Sequence, residues 1–154
     1  MGVSGSGKTT IGKALANQLG IPFYDGDDFH SKANIEKMSA GISLNDIDRQ
    51  PWLENINDYA VKSKTDLVIA CSALKIIYRK TLSKNIKSYF LFLNGNFDLI
   101  NKRFKNRKGH FMSPSLLQSQ FDTLELCEEC ISINVNQSVE KICEDILQKI
   151  MKLE

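Results

Sequence analysis

Residues 1–10 read MGVSGSGKTT. From Gly2 to Thr9 the stretch satisfies the spacing GxxxxGK[ST]. That spacing has a physical purpose: glycines let the backbone turn so that successive N–H groups converge on a polyphosphate, and the positive end of the following helix points at the same place. A helical period does follow, with Ile11, Leu15, Gln18 and Leu19 recurring, Ala14 and Ala16 between them, and Gly20 as a stop. A helix starting directly after the lysine argues against a flexible glycine-serine tail. On this reading Gly2, Val3, Ser4, Gly5, Ser6, Gly7, Lys8, Thr9 and Thr10 cradle the phosphates of a nucleotide. Lys8 reaches the outer phosphates, and the Thr9 hydroxyl ligates Mg²⁺.

Working outward, four short apolar runs read as strands: IPFYD (21–25), LVIACS (67–72), YFLFL (89–93) and ISINV (131–135). Helical patterns separate them. One runs from Ser31 to about Ala40, and another starts at Pro51 with Trp52 and Leu53, with Asp48 or Arg49 near its cap. Lys75–Leu82, Phe97–Phe104 and Val139–Ile150 are further amphipathic segments, the last carried by Val139, Ile142, Ile146 and Ile150. Near-continuous apolar strands alternating with helices predict an α/β fold of three layers, a parallel sheet with helices on both faces.

The 154 residues suit a single domain over 1–154, with no linker or repeat to divide it. No apolar run approaches the roughly 18 residues of a membrane span. The formal net charge of +2 gives no reason to expect a nucleic-acid partner. Cys71, Cys127, Cys130 and Cys143 read as reduced thiols of a cytoplasmic protein. The CxxC pair at Cys127 and Cys130 lacks a second pair or a nearby histidine, so both read as ordinary surface or packing cysteines.

Motors, switches and kinases share the opening loop. The absence of NKxD and DxxG patterns argues against a GTPase, and LVIACS ends without the acid that many ATPases place there. That duty moves to YDGDDFH (24–30), after the first predicted strand. In an open parallel sheet the ligand crevice lies beyond the carboxyl ends of the strands, so Asp25 and Asp27 would face the phosphate loop across it. Asp25 is assigned to a metal-bound water, and Asp27 to a hydrogen bond from an acceptor hydroxyl. A solvated acidic turn is the plain alternative.

Taken together, GVSGSGKT, DGDDFH, NIEKMSAGISLNDIDRQPWL, CSALKIIYR and RFKNRKGHFMSPSLLQSQFDTLE resemble the bacterial and eukaryotic gluconokinases, in register from Gly2 to Glu125. The first motif is widespread; the others are specific. The resemblance implies ATP-dependent, Mg²⁺-requiring phosphorylation of D-gluconate to 6-phosphogluconate, on the fold of nucleoside-monophosphate and shikimate kinases, commonly as a homodimer. A sugar acid carries one carboxylate and a row of hydroxyls, so its site needs cations and polar groups. Arg49, Lys75 and Arg79 lie near strand ends where such a site would form, and Asp27 and His30 complete the substrate set. Arg49 also has a structural reading, paired with Asp46 or Asp48; Lys75 and Arg79 have one as a solvated basic face. Asn34 and Lys37 lie on the helix that flanks the acceptor site in related kinases.

RFKNRKGHF resembles the family's lid, which would span about 103–120. Arg103 and Arg107, four apart and so on one helix face, would meet nucleotide and the developing charge of the transferred group, Arg107 as a catalytic residue. Ser113 stands where proline is frequent, and after Glu125 the specific match fades. Two alternatives stay open: a kinase of another small hydroxy-acid such as shikimate, and a nucleotide-binding protein without transfer activity.

A phosphate loop normally follows a buried strand, the central one of this fold, yet only Met1 precedes Gly2. About four buried apolar side chains contribute on the order of 6–12 kcal/mol, against a domain stability of roughly 5–15 kcal/mol. The expectation is a fold without its first central strand and a natural start lying upstream.

Overall fold

A computed structural model describes residues 1–105 and 114–153 of the chain. The opening loop turns into α1 (Lys8–Leu19), whose end is set by Gly20 in the left-handed region at φ 66°. Then come β1 (Phe23–Asp25), a single 3-10 turn (Gly26–Phe29), α2 (Lys32–Ser39), α3 (Asp46–Lys62), β2 (Val68–Ala70) and α4 (Ile76–Leu82). The second half holds β3 (Leu91–Asn94), α5 (Phe97–Lys105), α6 (Pro114–Thr123), β4 (Ile131–Asn134) and α7 (Val139–Met151). All four predicted strands are present; three are shortened to the residues that pair, and the third is shifted to end at Asn94.

β1 pairs in parallel with β2, Tyr24 opposite Ile69, and β3 in parallel with β4, Leu93 opposite Ile133. No strand is assigned ahead of the loop among the described residues, but the backbone of Met1 and Gly2 bridges the two pairs. The Met1 amine donates to Leu91 O at 2.5 Å. Leu93 N donates to Met1 O at 3.0 Å, and Gly2 N to Ser72 O at 3.1 Å, just beyond β2. Two residues thus hold the central position and deliver the loop to the carboxyl ends of the strands, as the predicted topology requires.

Successive strand side chains point to opposite faces, and β2 demonstrates the layering. Val68 packs on a core built from Ile11 and Leu15 of α1, Ile100 of α5, Leu117 of α6 and Ile142, Cys143 and Ile146 of α7. Its neighbour Ile69 packs on a second core of Trp52, Leu53, Ile56 and Tyr78 from α3 and α4. β4 departs from the expected two-sided burial: Ile131 and Ile133 are buried, while Ser132 and Asn134 are exposed.

α3 begins earlier than its proline suggests. Asn45, not Asp48 or Arg49, is the cap, accepting from Asp48 N at 2.9 Å while the Asp48 carboxylate accepts from Asn45 N at 3.0 Å. This reciprocal box starts the helix at Asp46 and leaves Pro51 in the second turn. The N–H that Pro51 lacks would have met the carbonyl of Ile47, a residue 83% exposed, so water can take the acceptor. The cysteines divide as well. Cys71 and Cys143 are buried thiols, the packing role expected, whereas Cys127 and Cys130 are joined as a disulfide with Cα atoms 5.2 Å apart. They close a turn in which Cys130 N donates to Cys127 O, which corrects their reading as unpaired thiols.

Candidate active site

Gly7 caps α1 with φ 99°, a conformation that favours glycine, and no side chain caps the helix. The first amides of α1 therefore face the loop unmet by a capping side chain, which makes an anion site of them. Lys8 folds back over the same loop, its ammonium on Gly2 O at 3.1 Å and Val3 O at 3.0 Å. Burial holds its pKa below the ordinary lysine value, opposed by the fields of Cys71, Asp27 and Asp25. The Ser6 hydroxyl is buried without a hydrogen-bond partner. A buried orphan of that kind is costly, and a phosphate oxygen would satisfy it.

At the end of β1 the Thr9 hydroxyl donates to Asp25 Oδ2 at 2.9 Å, while Asp25 Oδ1 accepts from Asp27 N at 3.2 Å. The two predicted metal residues are therefore in contact. Gly26 sits between the acids for want of space, because a Cβ there would lie 2.6 Å from Ala70 O. Trp52 of α3 donates its indole N–H to Gly26 O at 2.6 Å, tying the acidic turn to the second core. His30 stacks on Trp52, ring centroids 4.3 Å apart, with Asn34 Nδ2 3.4 Å from its Nδ1. Burial, ahead of the opposing Asp27, lowers the His30 pKa, so the ring is neutral at pH 7.

Asp27 raises the His30 pKa and Arg49 lowers it, so charges of the acidic turn and of α3 both act on the ring. At the start of α3, Lys75 donates to both oxygens of Asp46, at 2.9 and 2.7 Å, and the Tyr78 hydroxyl donates to Asp46 Oδ1. Arg49 Nη1 is 4.0 Å from the same carboxylate and 3.5 Å from the Tyr78 oxygen. The Lys75 and Tyr78 hydrogen bonds hold the Asp46 carboxyl below the usual range. Lys37 has a different partner, Asp48 at 2.7 Å, and Asn34 donates to Asp48 O at 2.8 Å, so both brace the start of α3.

Arg79 is not brought into this cluster. It is 2% exposed, with Nη1 donating to Ala73 O and Leu74 O and Nη2 to Leu126 O and Glu125 O. Its remaining Nε lies 3.8 Å from Glu129. The guanidinium braces the loop that carries Lys75, where Ala73 adopts a positive φ of 46°. Arg107 lies outside the described residues.

On the other side of the phosphate loop a cleft of about 280 Å³ is lined by Gly5, Ser6, Gly7, Thr10, Ile11, Arg103, Gln137, Val139 and Ile142. The predicted nucleotide residues from the loop and Arg103 meet there, and Arg103 donates to Val135 O. Gln137, Val139 and Ile142 were missed, since the specific motifs end before them. Their signal was positional: they follow the last strand at its carboxyl end, where an open sheet binds ligands. Also unforeseen is Gln120 of α6, whose Oε1 accepts from Ser4 N at 2.6 Å.

The family model "Shikimate kinase" matches residues 4–151. The chain is 45% identical over 163 residues to a probable gluconokinase of Dictyostelium discoideum, covering 95% of this chain and 82% of that protein. It is 43% identical over 161 residues to the thermosensitive gluconokinase of Escherichia coli (strain K12), covering 99% and 86%. A crystal structure of a gluconokinase from Sinorhizobium meliloti 1021 superposes with a TM-score of 0.90 at 41% identity, covering 99% of this chain and 90% of that one. The chain therefore belongs to the gluconokinase family, on a fold shared with the shikimate kinases.

Proposed function

We propose that this chain transfers the terminal phosphoryl group of ATP to a hydroxyl of D-gluconate, giving 6-phosphogluconate. The observation that carries this reading is the gathering of Arg49, Lys75 and Tyr78 on one carboxylate, Asp46, next to the acidic turn. Two cations and a phenol around a carboxylate are what a sugar acid needs at its charged end.

The residues present fit Mg²⁺ and ATP. The Thr9 hydroxyl and Asp25 carboxylate are hard oxygen donors in contact, and among the described residues no cluster of three or more acids, histidines or cysteines forms a closed metal cage. Mg²⁺ suits that sparse set, because it keeps waters and takes its other ligands from phosphate. Bound there, it would draw negative charge from the phosphates. Lys8, released from the Gly2 and Val3 carbonyls, would follow the charge of the transferred group. The α1 amides and Ser6 would hold the phosphates still, and Val139 and Ile142 would supply apolar surface for the base. Asp27 would accept the proton of the attacking hydroxyl, while His30, held neutral against Trp52, would donate a hydrogen bond to a sugar hydroxyl. Arg103, and Arg107 with it, would close over the nucleotide and exclude water, which competes with the sugar as acceptor.

The family model favours one second reading, a kinase of shikimate. Identities of 43–45% to gluconokinases, with the DIDRQPWL stretch that builds the cation cluster, weigh for gluconate. A cytoplasmic homodimer of one domain is the accompanying proposal; among the described residues no helix is long and apolar enough to cross a membrane. The test is ADP release with Mg²⁺ and ATP in the presence of D-gluconate, shikimate or neither. Gluconate-dependent release with a product 80 Da heavier than gluconate is expected. Shikimate-dependent release would transfer the assignment, and ATP binding without transfer to any sugar acid would leave a nucleotide-binding protein.

A further inference from the structure

Asp46 has no duty in the phosphoryl transfer proposed above, yet it is the most heavily engaged acid near the acceptor side. Lys75 bonds both of its oxygens, Tyr78 bonds one, and Arg49 stands 4.0 Å away. It is also unlike a structural ion pair. Its side chain is 54% exposed, those of Lys75 and Arg49 are about one-third exposed, and the helix cap beside it is supplied by Asn45 and Asp48 without its help. Exposed pairs of this kind contribute little to stability. Four contacts on one half-exposed carboxylate instead describe the binding mode of a carboxylate ligand, with a protein side chain in the ligand's place.

We propose that Asp46 is a built-in stand-in for the substrate's carboxylate. In the free protein it occupies Lys75, Tyr78 and Arg49; a sugar acid binds by exchanging its own carboxylate for that of Asp46, which swings toward solvent. The exchange leaves the cations never unpaired, and it sets a threshold. A ligand must bring an anion able to displace Asp46, so neutral polyols with the same row of hydroxyls are refused. Two carboxylates cannot share these donors, since like charges within about 4 Å repel. This inference rests on the gluconate reading and names the residue that tunes affinity and acid specificity within it.

The test is steady-state kinetics of wild type, Asp46→Asn and Asp46→Glu with D-gluconate, and with the neutral polyol D-glucitol, at fixed ionic strength. Asn keeps the shape without the competing charge, so KM for gluconate should fall about three- to tenfold, with KM for ATP unchanged. Glu restores the charge and should return KM toward wild type, and D-glucitol, refused by wild type and Asp46→Glu, should become a better substrate of Asp46→Asn, where no carboxylate has to be displaced. A melting curve of each variant separates folding from binding. An unchanged or raised KM in a folded Asp46→Asn protein overturns the stand-in and makes Asp46 a structural or direct substrate residue. No gain for D-glucitol in a folded Asp46→Asn protein overturns the assignment of acid selectivity to Asp46. Absence of gluconate turnover in the wild type itself overturns the functional reading, and the inference with it.

Discussion

Gly26 separates the two acids proposed for metal and acceptor duties, and its lack of a side chain is what lets them converge. With Ala70 O 2.6 Å from a would-be Cβ, Gly26→Ala must move backbone, and Asp25 and Asp27 move with it. Overpacking of this kind costs about 1–3 kcal/mol, while misplacing catalytic groups by an ångström costs on the order of a hundredfold. Gly26→Ala should therefore lose far more kcat/KM for gluconate than its urea midpoint suggests; parallel, modest losses in both would show that the turn adapts. Lys75 and Arg79, one helical turn apart, should respond in opposite ways. Arg79→Lys removes a fork that meets four carbonyls, two of them buried, at about 2–4 kcal/mol, visible as a lower Tm with KM for gluconate shifted only slightly. Lys75→Ala should keep Tm and raise KM about tenfold or more. Reversal of the two patterns would return Arg79 to the substrate site.

At the scale of elements, the backbone of Met1 and Gly2 holds the central position between β2 and β3. His30, at the end of the acidic turn, has its pKa lowered from the ordinary 6.5 chiefly by burial. The unfolded chain therefore binds a proton below about pH 6.5 that the folded chain resists, so stability rises with pH through that region. Urea midpoints from pH 5 to 7 should climb for the wild type and climb less for His30→Asn; equal slopes would remove the imidazole from the account. The strands and most helices were legible because their signals are local: β-branched runs, stops such as Gly20, caps such as Ser31 and Ser138. The start of α3 was misread because a proline marks a first turn on average, while the Asn45–Asp48 box decided it here.

Across the whole molecule, the positions of the opening loop and the acidic turn were legible, since fixed spacing or a strand end announced each one, while Gln137, Val139 and Ile142 of the cleft beside the loop were not. The Asp46 cluster and the brace made by Arg79 were not, because they join residues 29 to 47 positions apart through side-chain geometry that no local pattern encodes. Another such link joins Gln120 and Ser4, 116 positions apart, with Gln120 Oε1 accepting from Ser4 N at 2.6 Å. It fastens α6 to the loop proposed to hold phosphate. A neutral hydrogen bond of this kind is worth about 0.5–1.5 kcal/mol, a few-fold in an equilibrium constant. Gln120→Ala should therefore raise KM for ATP about three- to tenfold while leaving KM for gluconate near its wild-type value, as a loosened loop binds phosphate less well. Gln120→Glu keeps an acceptor for Ser4 but sets a negative charge beside a site built for phosphate, so it should weaken ATP at least as much as alanine and do so most at low salt. If glutamate instead restores ATP binding to the wild-type level, the acceptor alone matters and the charge is screened. If neither variant changes KM for ATP, the contact holds α6 in place without reaching the chemistry of the loop.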